Sequence, residues 1–382
     1  MKIVVAPDSF KGSLSAVEVA KSIEVGIKKV FPRAKVIKVP LADGGEGTVE
    51  ALVEGVPGSK VIKQEVTGPR GEKVKAFFGI LGEGKRAVIE MAAASGLPLV
   101  KENKRNPLIT TTYGTGELIK AALDYGSREI IVGIGGSATC DGGAGAVQAL
   151  GVKLLDREHH QIGFGGGELR RIKEIDLSSL DRRIRKSKII IASDVANPLC
   201  GRKGAAYVYA PQKGATKKMV EELEGNLSYY ADKILEKLGK KVKTLPGSGA
   251  AGGLGAGLIA FLDAKVEPGI ELVIQVAKLE EKLKDADLVI TAEGKIDAQT
   301  AFGKAPLGVA KLAKRHNLPV VAIGGSVSDD AHLLHRRGID ALFSIIRYPL
   351  DLSQAMERAR ELLIDEIEQV MRLVKLEVGT NN

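Results

Sequence analysis

Three short stretches set carboxylates, hydroxyls and an ammonium beside backbone that can turn sharply, which is the equipment for gripping an anionic group. Asp8-Ser-Phe-Lys-Gly12 places an acid, a hydroxyl (Ser9) and Lys11 within five residues. Lys is a common point-charge partner for phosphate or carboxylate, although Asp, Ser and Gly also make ordinary exposed turns. Asp43-Gly-Gly-Glu-Gly47 sets two acids, Asp43 and Glu46, among three glycines. Gly44 and Gly45 would let backbone N–H groups approach an anion while an acid holds Mg²⁺. The plainer alternative is that the acids complement the dipole of the helix that follows. The densest stretch is 133–145, where Gly135, Gly136, Gly142, Gly143 and Gly145 interleave with Ser137, Thr139 and Asp141. Such a loop between a strand and a helix can offer several donors to phosphates, or simply allow tight packing.

Two acidic loops complete the inventory. Asp194 and Asn197 lie in Ser193-Asp-Val-Ala-Asn-Pro-Leu-Cys-Gly201, and Glu293, Asp297, Gln299 and Thr300 lie in Thr291-Ala-Glu-Gly-Lys-Ile-Asp-Ala-Gln-Thr300. Each puts an acid just past an apolar run, where a metal ligand, a base for a hydroxyl group or a loop stabiliser could sit. The uncharged glycine-dense stretch 247–257 reads as well as the start of a packed helix. None of the Gly-Lys pairs led by Gly84, Gly239, Gly294 and Gly303 is followed by Ser or Thr, so there is no Walker A loop. The protein-kinase catalytic loop and Asp-Phe-Gly element are absent as well, and five scattered histidines give no nucleophile triad. Cys140 and Cys200 offer neither a disulfide framework nor a zinc spacing.

The elements that must position these loops follow from hydrophobic period. Residues 2–6 are nearly continuous and apolar, as in a strand buried on both faces, and Val17, Ala20, Ile23 and Ile27 then recur at helical spacing. Ser15 with Glu18 three residues on predicts a capping box. Residues 35–39 repeat the strand pattern. From about residue 60 the texture changes to strands at 61–66, 73–80 and 86–91 joined by Gly turns. Further strands are expected at 129–133, 188–192, 288–291, 320–323 and 341–345. Every chemistry-bearing loop thus follows the carboxyl end of a predicted strand, where open α/β sheets bind ligands. The pattern predicts an α/β protein in which residues 1–64 and 285–382 form one discontinuous domain around an inserted mixed α/β domain of residues 65–284. The last residues, from Gly379, are expected to fray.

A chain of 382 residues is long for a single core. With 44% hydrophobic and 27% charged residues it is a globular composition. The net charge of +9 is dispersed among acids and accompanied by only 4% aromatics, which argues against nucleic acid as a partner and favours encounter with small anions. No apolar run approaches the roughly 18 residues a membrane span needs, and no signal peptide pattern is present, so the expected compartment is the cytoplasm. From the residues alone the readings left open are an α/β enzyme or a binder for a small anionic ligand. A nicotinamide dehydrogenase is disfavoured because no Gly-x-Gly-x-x-Gly follows the first strand.

Taken in order, Ala6-Pro-Asp-Ser-Phe-Lys-Gly12, Pro40-Leu-Ala-Asp-Gly-Gly-Glu-Gly-Thr48, Val66-Thr-Gly-Pro69, Ile89-Glu-Met-Ala92, Thr111-Thr-Tyr-Gly-Thr-Gly-Glu117, the 133–145 loop, Asp194-Val-Ala-Asn-Pro-Leu199, Pro211-Gln-Lys-Gly-Ala-Thr216, Gly252-Gly-Leu-Gly255 and Glu293-Gly-Lys-Ile-Asp297 resemble the bacterial-type glycerate kinase family over roughly residues 1–355. The resemblance implies ATP and Mg²⁺ as cofactors, D-glycerate as acceptor, and a flavodoxin-like (Rossmann-like) domain carrying the insertion. It favours 2-phosphoglycerate over 3-phosphoglycerate as product, with another small hydroxy acid as the alternative acceptor, and leaves room for a homodimer. It implies catalytic roles for Lys11, Asp43 and Asp194. Substrate or phosphate contacts would come from Asp8, Ser9, Gly44, Gly45, Glu46, Gly135, Gly136, Ser137, Asp141, Asn197, Gln299 and Thr300, and metal ligation from Glu293 and Asp297. Base and metal ligands would be drawn from Asp8, Asp43, Asp194, Glu293 and Asp297. Cys140 and Ala292 depart from the Asn and Gly common in the family. Water exclusion from the γ-phosphate would call for a cleft that closes.

Overall fold

The computed structural model describes residues 1–301 and 304–379. The expected fraying beyond Gly379, and Gly303 of the last Gly-Lys pair, lie outside them. The chain opens with β1 (Lys2–Val5) and β2 (Lys35–Lys38). It continues through β3 (Lys60–Thr67), β4 (Lys73–Leu81), β5 (Arg86–Glu90), β6 (Glu129–Gly133), β7 (Lys153–Leu155), β8 (Glu174–Asp176), β9 (Lys188–Ala192) and β10 (Lys265–Glu267). It ends with β11 (Leu288–Ile296), β12 (Val320–Val327) and β13 (Ala341–Ser344). Two compact units result: Met1–Asp43 with Glu50–Pro57 and Ile270–Asn382, and Gly44–Val49 with Gly58–Gly269.

The first unit holds a parallel sheet ordered β13-β12-β11-β1-β2. Counted along the unit this is 2-1-3-4-5, the flavodoxin-type doubly wound order, in which ligands bind beyond the carboxyl ends of the strands where the order reverses. Here that point lies between β1 and β11. Ile3, Val4 and Val5 are wholly buried, as a strand covered on both faces requires. Beside them packs the helix Ala16–Val30, whose Ser15–Glu18 capping box forms as expected and whose Val19, Ala20, Ile23 and Ile27 share a core with Leu363, Ile367 and Val370.

The second unit holds a six-stranded sheet ordered β10-β9-β6-β5-β4-β3 and the small antiparallel pair β7-β8. Strands β10, β9, β6 and β5 are parallel, whereas β3 and β4 are antiparallel additions. The difference is written in the residues: β6 and β9 are buried Ile/Val runs, while β4 begins by alternating exposed Lys73, Lys75 and Phe77 with the more buried Val74, Ala76 and Phe78, the signature of one solvated face. Because the parallel strands run the same way, β6 and β9 deliver their following loops to one edge. Among the described residues no helix is long and apolar enough to cross a membrane.

The unit limits differ from 64/65 and 284/285. The chain leaves the first unit's sheet earlier because β3, starting at Lys60, pairs along its whole length with β4. It rejoins earlier because Ile270 and Ile274 pack at Gly308 of the helix Ala305–Arg315. Strand β11 also extends past the expected residue 291, pairing with β12 as far as Ile296 opposite Val327. Its polar second half, Glu293-Gly-Lys295, breaks the apolar pattern but not the ladder. The stretch 247–257 enters the helical segment Ala250–Leu262 through a kink at Ala251, Gly252 and Gly253, which are left-handed and not helical.

Candidate active site

In the first unit the loop after β1 and the strand β11 flank the reversal point. The backbone continues the ladder before turning, with Asp8 N donating to Ala292 O at 2.8 Å, and this draws the Asp8 side chain inward. Asp8 is buried and accepts one bond, from Ser9 N at 2.6 Å. Burial above all, with the Asp43 and Glu293 carboxylates, pushes its pKa up to about 6 against the Ser9 N–H and Lys11. Lys11, 78% exposed, reaches Asp43 Oδ2 at 3.5 Å. Asp43 chiefly, then Asp8 and Glu293, raise the lysine's pKa in spite of burial, so it is a firm cation at neutral pH.

Glu293 is held differently. Lys304 Nζ donates to its Oε1 at 2.5 Å and Thr300 Oγ1 to its Oε2 at 3.1 Å. Burial raises its pKa while Lys304 opposes the rise. Gly294, next along β11, sits under the loop: a Cβ there would lie 3.3 Å from Phe10 Cα, so a side chain would make the loop backbone give by a few tenths of an ångström. A cavity of about 740 Å³ opens here, charged at Asp8, Lys11, Glu293, Lys295 and Lys304, and apolar at Ile345, Ile346, Leu350 and Met356. That is the size and mixed lining of a small-molecule site.

In the second unit the 133–145 loop is built around Asp141. Its wholly buried carboxylate accepts from Thr112 N and Oγ1, both at 2.8 Å, from Gly143 N at 3.1 Å and from Gly145 N at 3.2 Å. Burial raises its pKa against these four donors. Gly135 and Gly136 are exposed, and Ser137 is nearly buried. Gly44, at φ +88°, packs so closely that a Cβ would lie 2.8 Å from Ala192 O at the end of β9. Asp194, two residues further, is exposed and accepts from Gly269 N at 3.2 Å.

The structure thus gathers Asp8, Ser9, Lys11, Asp43, Glu293, Asp297 and Thr300 in one unit, and Gly44, Gly45, Gly135, Gly136, Ser137, Asp141, Asp194 and Asn197 in the other. Glu46 and Gln299 are exposed. The surroundings of several of these residues are defined by their partners. Asp141 takes three of its four bonds at Oδ2 and one at Oδ1, all from its own unit. Asn197 ties its loop to the segment that follows, accepting from Tyr209 OH at 2.7 Å and donating to Lys203 O at 2.8 Å. Of the two acids assigned to metal, Glu293 receives one bond at each oxygen, and Asp297 pairs with Lys295 at 3.2 Å and accepts from Gln299 N at 3.0 Å. Burial alone would raise the Asp297 pKa, but Lys295, Lys304 and the Gln299 N–H hold it low. Among the described residues no three Asp, Glu, His or Cys side chains converge as an all-protein metal cage would need. Cys140, where the family commonly has Asn, is wholly buried, and burial pushes its thiol up to about 11.

Three charged residues escaped the sequence reading. Lys304 follows a glycine that signalled only a missing Walker loop. Glu90 accepts from Val49 N at 2.7 Å, serving the N-terminus of the helix Thr48–Gly55. Lys213 is buried against the 133–145 loop. Glu90 and Lys213 lie in motifs that the resemblance picked out without giving them a role.

Comparison with known proteins adds an independent line. Residues 3–375 match the model of the glycerate kinase family. The chain is 54% identical to a glycerate kinase of Bacillus subtilis (strain 168), with 98% of each chain covered. It is also 54% identical to the glycerate 2-kinase of Escherichia coli (strain K12), with 94% of each covered. A crystal structure from Salmonella typhimurium LT2 named for glycerate kinase 2 superposes with a TM-score of 0.89 at 50% identity, covering 99% of both chains.

Proposed function

The chain belongs to the glycerate kinase family and is an enzyme of that kind, and from this premise we propose that it transfers the γ-phosphoryl group of ATP to D-glycerate in the cytoplasm. The product we favour is 2-phosphoglycerate, a choice supported by the name of the 54% identical Escherichia coli relative, glycerate 2-kinase. The observation that carries the reading is the Asp8–Lys11–Asp43–Glu293 cluster at the strand-order reversal of the first unit, where a cation and an acid of raised pKa line one cavity.

Phosphoryl transfer asks mainly for positioning and neutralisation of charge. Lys11 supplies a mobile cation to phosphate or carboxylate oxygens, and Asp43 keeps it protonated and within reach. Asp8, with a pKa of about 6, is mostly ionised at neutral pH yet basic enough to accept the proton of the acceptor hydroxyl. In this reading Asp8 takes the base role, and Asp194 becomes a second-unit contact for substrate. The backbone N–H groups around Gly135 and Gly136, with the Ser137 hydroxyl, provide an anion cradle. Mg²⁺ is expected to arrive with the nucleotide phosphates, since it usually keeps several waters and needs only one or two carboxylates.

The deciding experiment is phosphorus NMR of the product formed from ATP and D-glycerate. The expected resonance is that of a 2-phosphomonoester of glycerate; the 3-isomer would overturn the regiochemistry, and turnover only with another hydroxy acid would replace the acceptor.

A further inference from the structure

Lys213 is 1% exposed, and its Nζ donates to Ser137 Oγ at 2.6 Å and to Thr139 O at 2.7 Å. Among the described residues no carboxylate forms an ion pair with it. A buried ammonium without an ionic partner is costly and rarely kept for packing alone. Its two acceptors are both in the 133–145 loop, 76 and 74 residues away in sequence. The bond to Ser137 has a directional consequence. A hydroxyl has one proton and two lone pairs, so an oxygen that accepts from Lys213 must send its own proton elsewhere. Among the described residues that proton has no acceptor, and Ser137 directly follows exposed Gly135 and Gly136.

We infer that Lys213 is a positioning residue: it polarises and orients the Ser137 hydroxyl as a donor to one anionic oxygen of a substrate bound at Gly135, Gly136 and Ser137. The inference rests on the proposed reading that this loop cradles a substrate anion. The shared ligand chemistry is an oxyanion, either a nucleotide phosphate or the carboxylate of the hydroxy acid. Burial lowers the Lys213 pKa to about 8, with the Cys140 and Asp141 side chains acting in the opposite direction, so at neutral pH the ammonium form prevails.

The test is calorimetric binding of tripolyphosphate and, separately, D-glycerate to the wild type, Lys213→Met, Ser137→Ala and the double variant. One of the two probes should bind about 10–100-fold more weakly to each single variant, and the double variant should be no weaker than Lys213→Met, the mark of residues acting as a unit. The probe that loses affinity identifies the oxyanion. Should Lys213→Met fold poorly, Ser137→Ala carries the test alone: wild-type affinity for that probe should decline as pH rises through about 8, and Ser137→Ala should flatten the profile. Multiplicative losses, an unflattened profile, unchanged binding in both single variants, or no binding of either probe to the wild type would each overturn the inference. Because no turnover is needed, coupled binding without ADP formation would leave the inference standing and remove the kinase reading. Turnover without coupling would do the reverse.

Discussion

The loop after β1 and the loop after β6 use the same alphabet of Asp, Ser, Gly and a nearby Lys, yet they hold charge in opposite ways. After β6, Asp141 is wholly buried with four donors, and the lysine, Lys213, is buried beneath the chain. After β1, Asp8 is nearly as buried but receives one N–H bond, faces two further carboxylates, and its lysine is out in solvent. Both acids pay desolvation and both have raised pKa values; Asp141 offsets part of the cost through four hydrogen bonds, Asp8 through one. An acid given four donors by the fold is held in one place, whereas one with a single donor beside two carboxylates and a lysine is set to exchange a proton or meet a cation.

The sharpest way to break the contrast is Lys11→Ala. An exposed ion pair contributes at most about 1 kcal/mol to stability, so the melting temperature should hardly move while kcat falls by about 10²–10⁴-fold. Wild-type kinetics in a folded variant would remove Lys11 from the site. Asp141→Ala should do the opposite, costing about 3–4 kcal/mol in denaturant unfolding because the Thr112, Gly143 and Gly145 donors are orphaned together. A variant of unchanged stability that has lost substrate affinity would make Asp141 a ligand contact after all.

Asp8→Asn sharpens the comparison through pH. The folded pKa of Asp8 is raised from 3.8 to about 6, so the protonated form is favoured by folding. The associated stability is fully present below about pH 3.8 and is lost as pH rises through about 6. The neutral amide should therefore be more stable than wild type by up to about 3 kcal/mol above pH 6 and no more stable below pH 4, with turnover strongly reduced throughout. A stability difference that does not vary between pH 4 and 7 would deny the buried charge. Asp194→Asn should reduce kcat/KM about tenfold, or roughly 1.4 kcal/mol, through substrate affinity. A loss of 10²-fold or more confined to kcat would instead move the base to the second unit. Asp297→Asn should have the smallest effect, below about 1 kcal/mol in stability, with the Mg²⁺ dependence of turnover unchanged. A raised Mg²⁺ requirement would restore Asp297 as a ligand.

Much of the fold was legible because its signals are local. The buried-strand pattern at both ends of the chain, the change of texture near residue 60 and the Ser15–Glu18 capping box are contained in short windows, and β1 does pair with β11 as the two-ended pattern implies. The family was legible for a related reason, since long motifs in a fixed order survive without any knowledge of contacts. What the sequence determined by itself is therefore where the loops rich in Asp, Gly and Lys lie and that they follow strand ends. It could not sort Asp8 from Asp141, pair Glu293 with Lys304, extend β11 through Glu293-Gly-Lys295, or seat Lys213 under Ser137. Those outcomes depend on how much water each group loses and on donors from distant parts of the chain, and desolvation and hydrogen-bond supply exist only once the tertiary structure has formed.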